Sequence, residues 1–500
     1  MIYQIQIKSN RRTLVDINQF EILENRINFL FGESGIGKTM IARAIYGLLN
    51  PDELEIKINH QSYNNYLQNP KIENIQRNGF FVFQEPSSHL NPLMTLANQL
   101  SEGSLRGIDS EKKILHRLWQ DTDDQSLKNL LAIYPKPYRP SGGEKQRILL
   151  AMAFKKIDRY LQSQTTNQQL LFIFDEPTGS LDNYYRNIFL SILFEKFKKR
   201  KFTILLITHD YSIIGEIHRH HGFLLDDIVY KELSSTSTGL RQHQFSEQSY
   251  LSWIKSITPV RNPNINDNKT LLYLKSGIDV FNRTLYISRD QKGNDICPLL
   301  IHCGEIIYLK AGSGVGKTTL AKVVMGLIKS SKFSLTVSHY TLDENTLLSF
   351  WPKEIWAKIA GMVFQHADEA LNLNSRVKDA FTGLPSKKKF GIQRLLSDLK
   401  EVFDDDLDSS FLNKKIAYLS GGQKQRLNLL RTLILDTELV ILDEPLNGLD
   451  FQSISKIMNI LQEKQHEGKG LLLISHNEEI FEHLVPEQNI YYLHATMKSK

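Results

Sequence analysis

The string Gly32-Glu33-Ser34-Gly35-Ile36-Gly37-Lys38-Thr39 recurs as Ala311-Gly312-Ser313-Gly314-Val315-Gly316-Lys317-Thr318, with the lysines 317 − 38 = 279 residues apart. Each copy follows an apolar, strand-like run, Ile27-Asn28-Phe29-Leu30-Phe31 or Ile306-Ile307-Tyr308-Leu309. Glycines let a backbone wrap closely around phosphate oxygens. The loop amides and the following helix N-terminus point at the anion. The lysine reaches the terminal phosphates, and the threonine hydroxyl suits Mg²⁺. A strand, a phosphate-binding loop and a helix, present twice, confine the chain to a pair of α/β nucleotide-binding domains.

Further pairs keep the same order. Phe83-Gln84 answers Phe364-Gln365, and Ser141-Gly142-Gly143 answers Ser420-Gly421-Gly422. Asp175-Glu176-Pro177 answers Asp443-Glu444-Pro445, and His209 answers His476. Repetition of this kind means two copies of one domain. Five hundred residues accommodate two domains of about 200–250 residues each. The expected division is a first domain over 1–258, a linker over 259–270 and a second domain over 271–500. The linker is rich in Pro, Asn and Asp and is expected to be extended or disordered.

A hydrophobic fraction of 41% with 23% charged residues describes a soluble protein, and a net charge of +6 gives no argument for nucleic acid. The run Lys196-Phe197-Lys198-Lys199-Arg200-Lys201 reads as a solvated helix end. Two cysteines give no disulfide framework. No apolar run approaches the ~18 residues that span a bilayer. Residues 1–7 alternate like an edge strand. Leu170-Leu171-Phe172-Ile173-Phe174 and Leu439-Val440-Ile441-Leu442 read as buried parallel strands. Residues 111–120 and 392–403 read as helices, and Asp404-Asp405-Asp406 as a solvated loop. His218-Arg219-His220-His221 reads as a surface loop rather than a metal cluster. Trp351 and Trp356 read as core.

The order of phosphate loop, glutamine, Ser-Gly-Gly, Asp-Glu-Pro and histidine resembles the ABC ATPase family, over nearly the whole chain. The string Leu419-Ser420-Gly421-Gly422-Gln423-Lys424-Gln425-Arg426 is specific to it. The resemblance implies two P-loop domains in tandem, each with a mainly parallel core sheet, flanking helices, a small antiparallel subdomain and a helical subdomain. It implies ATP and Mg²⁺ as cofactors. Gly32, Ser34, Gly35, Gly37, Lys38 and Thr39, and Ser313, Gly314, Gly316, Lys317 and Thr318, would hold phosphate. Thr39, Gln84 and Asp175, or Thr318, Gln365 and Asp443, would hold the metal. Glu176 and Glu444 would act as general bases, His209 and His476 would contact the γ-phosphate, and Gln84 and Gln365 would orient water. In the family the Ser141-Gly142-Gly143 and Ser420-Gly421-Gly422 helix ends serve the nucleotide of the other cassette. A head-to-tail sandwich within one chain is therefore expected.

Two departures, Ala311 for the first loop glycine and Pro140 for the usual leucine, fall in the second composite site, which is expected to be slower. No aromatic stands out at the position that stacks on adenine. The segment Phe83-Gln84-Glu85-Pro86-Ser87-Ser88-His89-Leu90-Asn91-Pro92 resembles the oligopeptide and nickel importer ATPases. That likeness implies a bacterial import motor at the cytoplasmic face of the membrane. It would act on two transmembrane permease subunits, served by an extracytoplasmic substrate-binding protein, with no nucleic acid as partner. The alternative is a soluble tandem ATPase of the ABC-F translation-factor type. An export motor is disfavoured by the lack of a fused membrane span.

Overall fold

The computed structural model describes residues 1–10, 12–102, 108–120, 122–135, 140–163, 170–179, 181–236, 239–259, 266–312, 314–385, 391–403 and 407–497. Ser313, Asp404-Asp405-Asp406, Ser237-Thr238 and linker residues 260–265 lie outside these. The chain divides into two compact units, Met1–Gln248 and Ser249–Lys500.

In the first unit the strands Phe80–Val82, Leu171–Asp175, Thr203–Ile207, Ile27–Gly32 and Ile228–Thr236 lie side by side and run parallel. Ile27–Gly32, Leu171–Asp175 and Thr203–Ile207 are buried at every position, as strands covered on both faces must be. The sheet continues through Gly239–Gln244, Arg12–Glu21, Ile2–Ser9 and Glu55–Ile58, ending at Gln61–Ser62. Strand Ile2–Ser9 is therefore not an edge strand: it pairs with Arg12–Glu21 on one side and Glu55–Ile58 on the other. The mostly polar residues 234–236 and 239–244 also belong to strands. Ile228–Thr236 and Gly239–Gln244 form a hairpin whose Leu240 pairs back to Ile17.

The second unit repeats the plan with its sheet split in two. Ala360–Val363, Leu439–Asp443, Gly470–Ile474, Ile306–Lys310 and Ile490–Met497 run parallel, followed by Arg283–Ser288 and Ile278–Val280. A separate four-stranded sheet holds Leu299–Cys303, Asn266–Leu274, Ser334–Val337 and Tyr340–Asp343. Strand Asn266–Leu274 takes in the last residues of the expected linker.

Helices Ile108–Leu118 and Ile392–Val402 stand where the sequence places helical segments. Trp351 is 1% exposed and donates to the Val324 carbonyl at 3.0 Å; half-buried Trp356 donates to Met325 at 2.8 Å. His218, Arg219 and His220 lie in the last turn of helix Ser212–His220, not in a loop. Among the described residues no His, Cys, Asp and Glu cluster is arranged to hold a metal. The basic run is solvated at Lys198, Lys199 and Lys201, as expected, with Lys199 paired to Glu195 and Lys201 to Asp227; Lys196 departs from this, buried and paired with Asp158. Among the described residues no helix is long and apolar enough to cross a membrane.

Candidate active site

In the first unit, strand Ile27–Gly32 delivers the loop to helix Lys38–Tyr46. Gly32 has φ +135°, and a Cβ there would lie 2.6 Å from the Leu233 carbonyl oxygen, so only glycine fits. Lys38 is buried under the loop and donates to the Gly32 and Glu33 carbonyls at 2.5 and 3.0 Å. Burial pushes its pKa down, opposed by Glu176 and Asp175. Thr39 donates to Asp175 Oδ1 at 3.0 Å. Asp175 Oδ2 is buried with no hydrogen-bond partner. Burial raises the Asp175 pKa to about 6, although the Thr39 bond pulls the other way. Glu176 has φ +47°, held by its amide's bond to the Ile207 carbonyl at 3.0 Å. His209 Nδ1 lies 2.9 Å from Glu176 Oε1. Burial lowers the pKa of His209, but the neighbouring Glu176 outweighs it and leaves the imidazole above its ordinary value.

The second unit assembles the same residue types differently. Lys317 donates to the Ala311 carbonyl at 2.7 Å, as Lys38 does to Gly32. Ala311 is not among the residues with positive φ, so the backbone departs there from the Gly32 conformation and admits the methyl group. Thr318 donates to Gln365 Oε1 at 3.4 Å, and both buried carboxylate oxygens of Asp443 lack hydrogen-bond partners. Burial raises the Asp443 pKa. Glu444 repeats the strained backbone, at φ +49° with its amide 2.8 Å from the Ile474 carbonyl. Its Oε2 accepts from Ser475 Oγ at 2.7 Å and from the His476 amide at 3.1 Å. Burial raises Glu444 to about 7, against the Ser475 bond and Lys317. The His476 ring turns to Lys317 Nζ, 3.2–3.3 Å away, with Nε2 3.6 Å from Glu444 Oε1.

Gln84 is exposed and not drawn into the cluster of Lys38, Thr39, Asp175, Glu176 and His209. The loop residues Ser34, Gly35 and Gly37 connect strand to helix, as Gly314 and Gly316 do in the second unit. Ser141 and Ser420 are N-caps of helices Gly142–Gln162 and Gly421–Leu433, so Gly142, Gly143, Gly421 and Gly422 form their first turns. Both caps are reciprocal boxes, Ser141 with Glu144 and Ser420 with Gln423. Pro140 precedes the cap, so its missing N–H is not one of the helix's unpaired donors. Leu419, its counterpart, spends that N–H on Ile416.

The buried carboxylate oxygens beside Thr39 and Thr318 have the hard-donor chemistry that a divalent cation takes, directly or through water. In protein free of nucleotide and magnesium, Asp175→Asn should therefore stabilise the fold above pH 6. The sign follows from the raised pKa. The neutral acid is favoured in the native state, so its contribution is present below about pH 4 and lost as the pH rises through 6. The gain in melting stability should approach about 3 kcal/mol at pH 8 and shrink at pH 5. Equal effects at both pH values would reject the assignment.

A residue missed in the sequence emerges here. Phe281 is 72% exposed with φ +49°, at the turn between Ile278–Val280 and Arg283–Ser288. That hairpin lies against the second phosphate loop. Arg283 donates to the Gly314 carbonyl at 3.3 Å, and a Cβ on Gly316 would touch Leu285 at 3.1 Å. In the first unit the strands Ile2–Ser9 and Arg12–Glu21 turn through Asn10, with no hairpin like that of Ile278–Val280 and Arg283–Ser288 inserted there. An exposed aromatic flanked by Asn, between short alternating runs, is the signal that could have found it.

The sequence pattern of the ABC transporter family matches residues 15–179 and 297–447, more than half of the chain. The chain belongs to the ABC transporter family. It is a tandem ABC protein with two ATP-binding domains, and the family's activity is ATP hydrolysis. An uncharacterized ABC transporter ATP-binding protein of Escherichia coli, YejF, is 29% identical over 486 residues, covering 93% of this chain and 88% of its own. The peptidoglycan transport ATP-binding protein YejF of Agrobacterium fabrum is 25% identical over 493 residues, covering 93% and 84%. The solved structure of an RNase-L inhibitor shares the fold, with a TM-score of 0.61 at 15% identity, covering 98% of this chain and 89% of that one.

Proposed function

We propose that this ABC protein is the ATP-driven motor of a bacterial importer for peptide-containing cargo, working at the cytoplasmic face of the membrane on two permease subunits fed by a substrate-binding protein. The observation that carries the reading is the segment Gln84-Glu85-Pro86 to Leu90-Asn91-Pro92, which resembles oligopeptide and nickel importers and runs into Leu93, 83% exposed. The name of the A. fabrum relative supports a peptide-bearing cargo. Nickel or another chelated metal rests on the segment's likeness alone. The domain reading remains two cassettes, 1–258 and 271–500, about a linker at 259–270.

In this reading Lys38 and Lys317 bind the terminal phosphates from beneath their loops. Thr39, Gln84 and Asp175, and Thr318, Gln365 and Asp443, would hold Mg²⁺, which when bound offsets phosphate charge. Glu176 and Glu444 accept the proton of the attacking water. His209 and His476 position the γ-phosphate, and Gln84 and Gln365 orient water. Ser141, Gly142 and Gly143 serve the nucleotide of the second cassette, and Ser420, Gly421 and Gly422 that of the first, through amides at helix N-termini.

Phe281 is proposed to stack on the base in the second cassette. Phe281→Ala should weaken binding there by about tenfold, since stacking a base on an aromatic ring contributes roughly 1–3 kcal/mol. Asn10→Ala should leave nucleotide titrations unchanged. Identical isotherms for Phe281→Ala and the parent would reject the stacking role.

Uptake in a strain lacking the gene tests the import reading. Loss of oligopeptide or peptidoglycan-peptide uptake, restored by the parent chain but not by Lys38→Ala, is expected. Loss of nickel-chelate uptake alone would reassign the cargo. Intact uptake of all of these, with the protein sedimenting with ribosomes, would overturn import in favour of a soluble factor.

A further inference from the structure

The two switch histidines sit in different collars. In the first unit Arg186, 5% exposed on helix Asn183–Lys199, donates through Nη1 to Asp210 Oδ2 and to Ser212 Oγ, each at 2.6 Å. Asp210 Oδ1 also accepts from the Ser212 amide at 3.0 Å, and the Asp210 amide donates to Thr208 Oγ1 at 3.0 Å. The second unit repeats the last of these bonds, from the Asn477 amide to Ser475 Oγ at 3.1 Å, so what is particular to the first unit is the Arg186 pair that pins Asp210. Burial would raise the Asp210 carboxyl, but Arg186 holds it below its ordinary range, so the pair is charged.

Counting from Asp182 and Asp450, Ile454 replaces Arg186; counting from the histidines, Asn477 replaces Asp210. Both partners change together, from a buried ion pair to an apolar side chain, 3% exposed, and a neutral one. Replacing both members avoids the uncompensated buried charge that a single replacement would leave. The histidine geometry follows the exchange. His209 Nδ1 lies 2.9 Å from Glu176, whereas the His476 ring turns to Lys317.

We propose that Arg186 and Asp210 are positioning residues that hold His209 against Glu176, making the first nucleotide site the better-ordered hydrolytic centre. The inference rests on the reading of His209 and Glu176 given above. Neither Arg186 nor Asp210 needs to touch nucleotide. Their effect passes through the backbone at Asp210, next to His209, where a displacement of about 1 Å can cost up to 10²-fold in rate.

The test transplants the second unit's pair into the first, as Arg186→Ile with Asp210→Asn in the full chain. Steady-state ATPase kcat should fall about tenfold, toward that of His209→Ala, while KM, nucleotide affinity and melting temperature stay near the parent's. An unchanged kcat, or a loss matched by falls in melting temperature or nucleotide affinity, would overturn the proposal. His209→Ala calibrates the result. If it has no effect, the reading of the site itself fails; if it lowers kcat while the transplant does not, only the positioning role fails. Should the transplant not fold, Ile454→Arg with Asn477→Asp is measured instead. It is expected to raise kcat, and an unchanged or lowered kcat counts against the proposal.

Discussion

Exchange of both Glu176 and Glu444 for Gln should lower steady-state ATP hydrolysis by about 10²–10⁴-fold, the range that a positioned general base contributes. Each glutamate directly follows a buried aspartate whose carboxylate has at least one oxygen without a hydrogen-bond partner. Each is held by an amide bond to the neighbouring strand, at Ile207 and Ile474. Gln keeps the size and the backbone requirement but cannot take a proton from water. Binding groups are untouched, so equilibrium binding of ATP should persist within a few-fold. Undiminished turnover in the double variant would remove both residues from the chemistry. Loss of binding along with turnover would make their role structural.

Gly32→Ala should disable the first loop, whereas Ala311→Gly should be nearly silent. The alanine would have to hold φ +135° and place its Cβ 2.6 Å from the Leu233 carbonyl oxygen, in the centre of the sheet. Backbone strain of about 1–3 kcal/mol and overpacking of about 1–3 kcal/mol give roughly 2–6 kcal/mol in total. For a domain of this size that corresponds to a fall in Tm of about 5–20 °C. Nucleotide binding at that loop should fall with it. Ala311 already has an ordinary backbone, so glycine there adds unfolded-state freedom and costs less than about 1 kcal/mol. Calorimetry and nucleotide titration of the two variants check the contrast. Similar losses in both would mean that the two loops share one conformation.

Much of this fold is legible in sequence because its centre is made of short, uniformly apolar runs ending in distinctive residues. Leu171–Asp175 and Leu439–Asp443 are buried throughout and terminate in the acidic pair, so pattern and chemistry coincide. The periphery is less legible. Gly239–Gln244 mixes half-buried and exposed positions without a period of two and contains only Leu240 as an aliphatic residue, so no strand pattern marks it. Strand Ile2–Ser9 looks like an edge because its second partner, Glu55–Ile58, is some fifty residues away. Site geometry is legible only as residue types. Within the phosphate-binding motifs His209 and His476 look equivalent, and nothing in those motifs shows that one faces Glu176 and the other Lys317. The difference comes from residues such as Arg186 and Asp210, which belong to no phosphate-binding motif. Phe281 was hidden because its two-residue turn with Asn282 sets it on the surface beside a loop that begins thirty residues later.

The positive φ at Glu176 and Glu444 has an evolutionary corollary. A carboxylate side chain is an unfavourable occupant of that backbone region, and glycine or asparagine would relax it. Selection for turnover therefore opposes selection for heat resistance at these two positions. In a lineage where one cassette no longer needed to hydrolyse, that glutamate would be free to drift toward asparagine or glycine, and the protein would grow hardier as it did so. The residue found after the aspartate in a set of relatives would then act as a fossil record of which cassette still turns over.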